Sequence, residues 1–511
     1  CGAENSISTF DPTTGRRLSR TDGNGHVTAW TYDDDGNVTE IVEALGTSVA
    51  RTTTSVYAVP GVDPLPTTWP LTVRDSLKEK HEPSGVKPGS FVVTARSFGG
   101  TGNLEMTDAV SGYLAAADSS PTTRSNKTTL DAAGRVLGVD GPRTDVSDVT
   151  TLEYYPSSEP TLARRNRLSR RVEPDQTETT YDAYHALGGG IHETRRLRTG
   201  ASNADVVTER TFDARGRLLT QTLKATSAAE ADIVTTTGYD ARGRVSYTQV
   251  QPTGGDVTTR TNLVYEDGTD RLLTRTLTRT QGGPGDRITY GHDDRGNVTS
   301  ESYGYFNGTS TTEDYAVDRV YDGQCRVKRQ TYPADDATTA YTYDCVGNVT
   351  EVKDALHTAS NLLYVYDERN RLISVTRTAS PANDVTAYVY DARDNLVQVT
   401  DPNGAATLYV FDDFGQMRKK TTALSGGGYG DITTYAYDAA GNLVAESNGV
   451  RGTTRTWDAA GRLLNVTNAP GSPTLSIVHT YDTGCGPDPV SGHIFGQGRP
   501  CTVVDESGTT T

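Results

Sequence analysis

The sequence predicts an all-β fold: one long antiparallel β-meander wound into a spiral that closes as a hollow shell or barrel. Three observations carry this prediction. The composition is rich in strand formers yet poor in apolar residues, an aromatic-Asp motif recurs along the whole chain, and strand-period alternation flanks each copy of it.

The chain has 511 residues, 34% of them hydrophobic, with Gly 52, Tyr 27 and Phe 8. Counting Gly and leaving out Tyr, the apolar share is about 39%, below the roughly 45–50% of ordinary globular domains. That argues against three or four solid, well-filled cores. Disorder is excluded too, because 27 tyrosines and roughly 80 threonines make a β-forming composition that disordered chains lack. No window holds the roughly 18 apolar residues of a membrane helix, and no secretory leader pattern opens the sequence. A net charge of -16, with basic residues scattered, argues against nucleic acid as the main partner, since phosphate binding needs a basic face.

The repeat is plainest from 321 to 511. Tyr343-Asp344-Cys345-Val346-Gly347-Asn348-Val349, Tyr366-Asp367-Glu368-Arg369-Asn370-Arg371-Leu372 and Tyr390-Asp391-Ala392-Arg393-Asp394-Asn395-Leu396 share the consensus aromatic-Asp-x-x-Gly-Asn/Arg-Leu/Val. Tyr321, Phe411, Tyr437, Trp457 and Tyr481 open further copies, at starts about 20 to 26 residues apart. Earlier in the chain Phe10, Tyr32, Phe212, Tyr239 and His292 open recognisable copies, and Phe98, Leu130 and Tyr181 weaker ones. Tyr57, Tyr155 and Tyr265 keep little more than the aromatic and the spacing, for about 19 anchors in all.

Each part of the motif has a physical reading. Thr386-Ala387-Tyr388-Val389-Tyr390 before the corner and Leu396-Val397-Gln398-Val399-Thr400 after it alternate with the period of a strand that buries one face. Between them Asp accepts backbone N–H groups and Gly supplies the positive φ of a type I turn with a G1 bulge. A second corner per repeat is marked by Thr21-Asp22-Gly23-Asn24-Gly25, Asp401-Pro402-Asn403-Gly404 and Asn468-Ala469-Pro470-Gly471. Each repeat is thus two strands and two turns, giving about 38 strands. Open twisted sheets rarely exceed about 10 strands before they curl or split, so so long a meander must wind or close. With one Tyr and one Leu or Val per repeat to line its inner face, it encloses a space. The Pro-rich segment 58–97, with Pro60, Pro64, Pro66, Pro70, Pro83 and Pro88, reads as an irregular insertion in an otherwise continuous 1–511 sheet.

These motifs, with Tyr481-Asp482, Gly496-Gln497-Gly498-Arg499 and Val504-Asp505-Glu506-Ser507-Gly508, resemble the YD-repeat or Rhs family over residues 10 to 511. The resemblance implies a spiralling β-sheet shell, as in bacterial Rhs polymorphic toxins, the cocoon of insecticidal toxin complexes and the barrel of teneurins. It implies that bacterial members enclose a C-terminal toxin and release it after autoproteolysis. The family's core-terminal Asp-Pro-x-Gly-Leu signature is absent. Asp401-Pro402-Asn403-Gly404 is followed by Ala405-Ala406-Thr407 and reads as a turn. The chain is accordingly expected to be a piece of a longer polypeptide, truncated at both ends.

Five cysteines are no disulfide scaffold. Cys485 and Cys501 flank a Gly/Pro-rich insertion whose base a disulfide would close, stabilising by roughly 3 kcal/mol in the chain-entropy model. Cys325 and Cys345, on neighbouring corners, are the second candidate pair. Bonded, they place the protein outside a reducing cytoplasm. Cys1 is left unpaired, as a fragment boundary or a lipidated first residue. The eight histidines are dispersed; His185 and His192 bracket what reads as a solvated loop. No catalytic, metal or cofactor constellation is expected. The sequons at Asn37, Asn297 and Asn348 fall out of the motif ending.

The leading expectation is a secreted or surface-exposed bacterial structural shell, not an enzyme, that encloses a passenger polypeptide such as a toxin. The alternatives are a cell-surface adhesion or filament protein that binds glycans or another cell through its outer face, and a shell that cuts its own chain. The repeat-defining aromatics are Tyr32, Tyr239, Tyr321, Tyr343, Tyr366, Tyr390, Phe411, Tyr437, Trp457 and Tyr481.

Overall fold

The computed structural model describes residues 6–58, 77–101, 104–162, 164–176, 178–187, 190–198, 206–225, 231–279, 283–378, 382–424, 428–469, 475–481, 500–505 and 508–510. They form 39 strands of a single sheet, numbered along the chain from β1 (Ile7–Phe10) to β39 (Gly508–Thr510). Each strand pairs antiparallel with the next in sequence, from β1 with β2 (Arg17–Thr21) onward. No α-helix occurs among the described residues, and no helix is long and apolar enough to cross a membrane.

Alternation explains the strands. In β29 (Asp384–Tyr390), Tyr388 and Tyr390 share one face while Val389 takes the other and stays 48% exposed. Tyr341, Tyr364 and Tyr388, two residues before the motif tyrosines, stand opposite Val352, Val375 and Val399 on neighbouring strands. One face of the sheet therefore carries cross-strand Tyr–Val pairs, the arrangement that stabilises a sheet locally. Among the described residues no second layer lies over it. The fully buried apolar residues among those described are only Ala44, Ala58, Val92, Leu130 and Val317. The accessible surface of 28568 Å² is about 1.6 times the roughly 18,000 Å² of a compact chain of 54.8 kDa.

The sheet runs on through part of the segment read as irregular. β6 (Leu77–Pro83) pairs with β5 (Arg51–Tyr57) and with β7 (Phe91–Gly99). Pro83 closes a strand and Pro88 lies in the turn after it, positions where a missing N–H costs the ladder little. Pro60, Pro64, Pro66 and Pro70 lie outside the described residues. Two other readings are corrected. Tyr181 opens no corner, because Tyr181-Asp182-Ala183-Tyr184 brings no Gly and β13 (Glu178–Leu187) continues through it with a bulge. The stretch from His185 to His192 is not a loop either: the two are ladder partners in the hairpin of β13 with β14 (Gly190–Arg198).

A filled particle of 511 residues has a radius of gyration of about 24 Å. Solution scattering is expected to give a clearly larger value for this single-layered sheet, and a value at or below about 24 Å would contradict it.

Candidate functional site

The recurring structure is the corner itself. At Tyr390, β29 hands over to β30 (Leu396–Thr400), with Tyr390 opposite Leu396 and a bulge beside it. The Asp391 carboxylate accepts the N–H of Arg393 at 2.8 Å and of Asn395 at 2.9 Å, and the Asn395 side-chain amide at 2.8 Å. The Tyr390 hydroxyl donates to the Leu372 carbonyl of the previous corner at 2.9 Å. The same tie runs from Tyr32 to Arg17, Tyr239 to Leu218, Tyr321 to Val298, Tyr343 to Val327, Tyr366 to Val349, Tyr437 to Met417 and Tyr481 to Leu463. Trp457 makes it with its indole N–H to the Leu443 carbonyl at 2.9 Å, whereas Phe411 has no donor to offer. Burial pushes the phenols of Tyr321, Tyr343, Tyr366, Tyr390, Tyr437 and Tyr481 upward, keeping them as donors.

The Asn/Arg alternative at the motif's sixth position now has a reason. Asn37, Asn297, Asn348, Asn395 and Asn442 close their own corner, so the sequon asparagines are held by the turn aspartate. Arg reaches further. Arg371 binds Asp367 at 2.7 Å, donates to the Asp391 carbonyl at 3.0 Å and lies 5.0 Å over the Tyr390 ring. Arg217, Arg244, Arg326 and Arg462 stack on the next tyrosine in the same way, which adds a cation–π attraction.

The second feature is a seam, which the repeat pattern does not announce. Corners of the later repeats press against loops of the earlier ones, across sequence separations of 287 to 343 residues. Asn24 donates to Asp344 at 2.9 Å and accepts the Cys345 N–H at 3.3 Å. Arg51 meets Asp394 at 2.8 Å, and that carboxylate also takes Arg369 and Arg371 at 2.6 and 3.0 Å. Arg124 donates to Gln416 at 2.7 Å and lies 4.0 Å from the Phe414 ring centre. Arg143 reaches the Asp458 carbonyl at 2.8 Å, and Asp175 pairs with Arg462 at 3.1 Å.

Asp413 is the centre of the seam. Its side chain is 1% exposed. It accepts the Ser84 hydroxyl at 2.9 and 2.7 Å, the Gly85 N–H at 3.0 Å and the Tyr113 N–H at 2.8 Å. Its own N–H returns to the Tyr113 carbonyl at 2.9 Å. Gly112 is required beside it, since a side chain there would begin 2.6 Å from the Asp413 Cβ.

The expected Cys325–Cys345 pair does not form. Cys325 is free and exposed, at the left-handed Gly position of its corner with φ 61. Cys345 turns to Gly23, one turn of the sheet away, and is itself disulfide-bonded. Cys485 and the side chain of Cys501 lie outside them as well. Among the described residues no group of three or more His, Cys, Asp or Glu gathers to hold a metal ion.

Two outcomes test this geometry. Asp413→Asn turns an amide donor toward N–H donors and is expected to cost on the order of 3 kcal/mol in urea unfolding. The matching change at Asp294, exposed in a corner away from the seam, costs under about 0.5 kcal/mol. Acid is the second probe. The Arg217 N–H, and then its guanidinium, hold Asp213 below the usual aspartate value against its partial desolvation. The Asn37 and Asn297 amides do the same for Asp33 and Asp293, and at Asp367 burial is outweighed by the Arg371 N–H and guanidinium. Depressed folded values make this stability complete above the unfolded value of about 3.9 and lost as pH falls through the folded values. A circular-dichroism titration should therefore show the corners failing together below about pH 4, and a signal unchanged to pH 2 would contradict it.

The RHS Repeat family profile matches residues 11–48, 366–406, 390–429 and 437–474. No curated protein matches the chain. Among solved structures it is similar to TcdB2-TccC3-TEV at 10% identity and TM-score 0.33, with 94% of this chain covering 34% of that one. TcdB2-TccC3-Cdc42 is similar at 12% identity and TM-score 0.35, with 98% covering 34%. The Photorhabdus luminescens Tc holotoxin pore with mutated TccC3 is similar at 11% and TM-score 0.33, with 98% covering 33%. The chain thus spans about a third of the length of these structures. The profile thus matches near β1 and again through the repeats from Tyr366 to Trp457, so these stretches of the chain carry RHS repeats.

Proposed function

We propose that the wound sheet is the wall of a shell that encloses a passenger polypeptide, in a bacterial protein exported to the surface or the medium, and that this segment performs no catalysis itself. The observation that carries the reading is the seam, where the two edges of one ribbon meet 287 to 343 residues apart. Asn24 lies between β2 and β3 (Val27–Tyr32), and Asp344 between β25 (Ala337–Tyr343) and β26 (Val349–Lys353), so one turn takes about 23 strands. At about 4.8 Å per strand a round turn is roughly 110 Å around and 35 Å across. Side chains of the inward face fill about 5 Å on each side, leaving a lumen of roughly 25 Å. In known barrels, some 22 strands already hold a plug. The identity of the passenger as a toxin rests on the Rhs resemblance.

The test uses the complete reading frame. After protease treatment of the intact protein, a fragment other than the wall is expected to survive, and to be digested once Asp413→Asn weakens the seam. A passenger cut at the same rate with and without that change would overturn the reading. So would a complete chain that holds no protected fragment and binds cells or glycans instead, which is the adhesion alternative.

A further inference from the structure

We propose that Asn24 is a modification site guarded by the seam: its side-chain amide is converted to a carboxylate once the seam parts, and the acid so formed opposes reclosure. This end of the seam then opens one way. The device depends on the seam alone, whatever the shell encloses.

The chemistry begins in the sequence. Glycine after asparagine favours attack by the glycine backbone nitrogen on the asparagine Cγ, because no side chain obstructs the approach. Four such pairs occur, Asn24-Gly25, Asn307-Gly308, Asn403-Gly404 and Asn448-Gly449. At Asn24 the Gly25 nitrogen bonds to Cγ, the Cγ–Nδ2 bond breaks, and the proton of that nitrogen leaves with the amide as ammonia. Water then opens the cyclic imide at either carbonyl, giving aspartate or isoaspartate.

Two of the four pairs occupy the same turn. The Asp22 N–H donates to the His26 carbonyl at 2.9 Å, the Gly25 N–H to the Asp22 carbonyl at 3.0 Å, and the Asn24 N–H to the Asp22 carboxylate at 2.9 Å. At Asp401 the matching bonds, to Ala405 and from Gly404 and Asn403, are each 2.9 Å. Gly25 and Gly404 share the left-handed backbone, at φ 90 and 81. Both asparagines are exposed, so water reaches both. The carboxamides differ. That of Asn403 meets no partner among the described residues, whereas that of Asn24 donates to Asp344 at 2.9 Å and accepts the Cys345 N–H at 3.3 Å. Ring closure expels the nitrogen that donates to Asp344. It must first break a hydrogen bond to a charged group, so the closed seam slows the conversion roughly tenfold or more.

The product does not fit the closed seam. Burial raises the Asp344 carboxyl, but the Asn24 and Asn348 amides outweigh it and hold the group below the usual aspartate value. Asp344 is therefore charged at neutral pH, and a carboxylate at position 24 sets a like charge where a donor had been. Isoaspartate adds a methylene to the main chain of a turn without slack, since a side chain on Gly23 would already begin 2.7 Å from the Cys345 Cβ.

Peptide mapping of the complete chain, after warm incubation at neutral pH, follows conversion at both asparagines. Relative to its own rate in urea, Asn24 is expected to be slowed in the folded chain roughly tenfold more than Asn403. Equal slowing at the two sites would overturn the protection. The product is tested with Asn24→Asp, and with Asn403→Asp as its control. Hydrogen exchange across residues 343–349 is expected to quicken severalfold in the first and to stay unchanged in the second. Unchanged exchange in Asn24→Asp would overturn the one-way opening.

Discussion

Each corner of a single-layered meander exposes backbone N–H groups that the ladder cannot reach, and the turn aspartate is what satisfies them. One carboxylate takes two N–H groups of its own turn and one side chain from the sixth motif position, as Asp391 does with Arg393 and Asn395. A corner closed in this way has little left for water to solvate. Its edge can therefore be pressed against the next turn of the ribbon without stranding polar groups, which would cost about 1–3 kcal/mol each. The winding, the seam and any enclosed space follow from that local economy of hydrogen bonds.

Repeat sheets of this kind are stabilised between nearest neighbours. Tyrosine ties each corner to the one before it, and arginine, where present, ties it to the one after. Of these, Arg462 alone is also seen to reach across a turn, to Asp175 at 3.1 Å. The seam supplies that long-range coupling, partly through consensus residues such as Asp344 and Arg462 and partly through residues that the consensus does not specify. Asp394 stands where Gly is expected, at φ 69, and gathers Arg51, Arg369 and Arg371. Asp413 and Phe414 fill the two free motif positions of one corner and engage Ser84, Tyr113 and Arg124. Cys345 fills a free position of another and meets Gly23.

The strands, the corners and the wound single layer were legible in the sequence because their causes lie within a few residues: Asp to the sixth motif residue, Tyr alternating with Val, Gly at positive φ. The seam was not. Ser84, Gly112 and Tyr113 carry no pattern that points to Asp413, about 300 residues away, and the residues that mark where the second turn lands are two at free motif positions, 345 and 413, and one in place of the consensus Gly, 394. The same limit explains the misplaced cysteine pair: adjacent corners make Cys325 and Cys345 look like neighbours, while the winding turns Cys345 to another partner. Tyr181 and the stretch His185–His192 misled for a different reason. An aromatic-Asp pair without its glycine leaves the strand free to continue, and β13 and β14 extend through both.

The central claim is that the ribbon's two edges meet after one turn. Spin labels at Thr144 and Ala460, both exposed and flanking the contact of Arg143 with Asp458, measure it directly by dipolar spectroscopy. A wound sheet puts the labels on the order of 20 Å apart. An unwound one separates them by about 25 strands, roughly 120 Å, and a distance beyond the method's range would contradict the account.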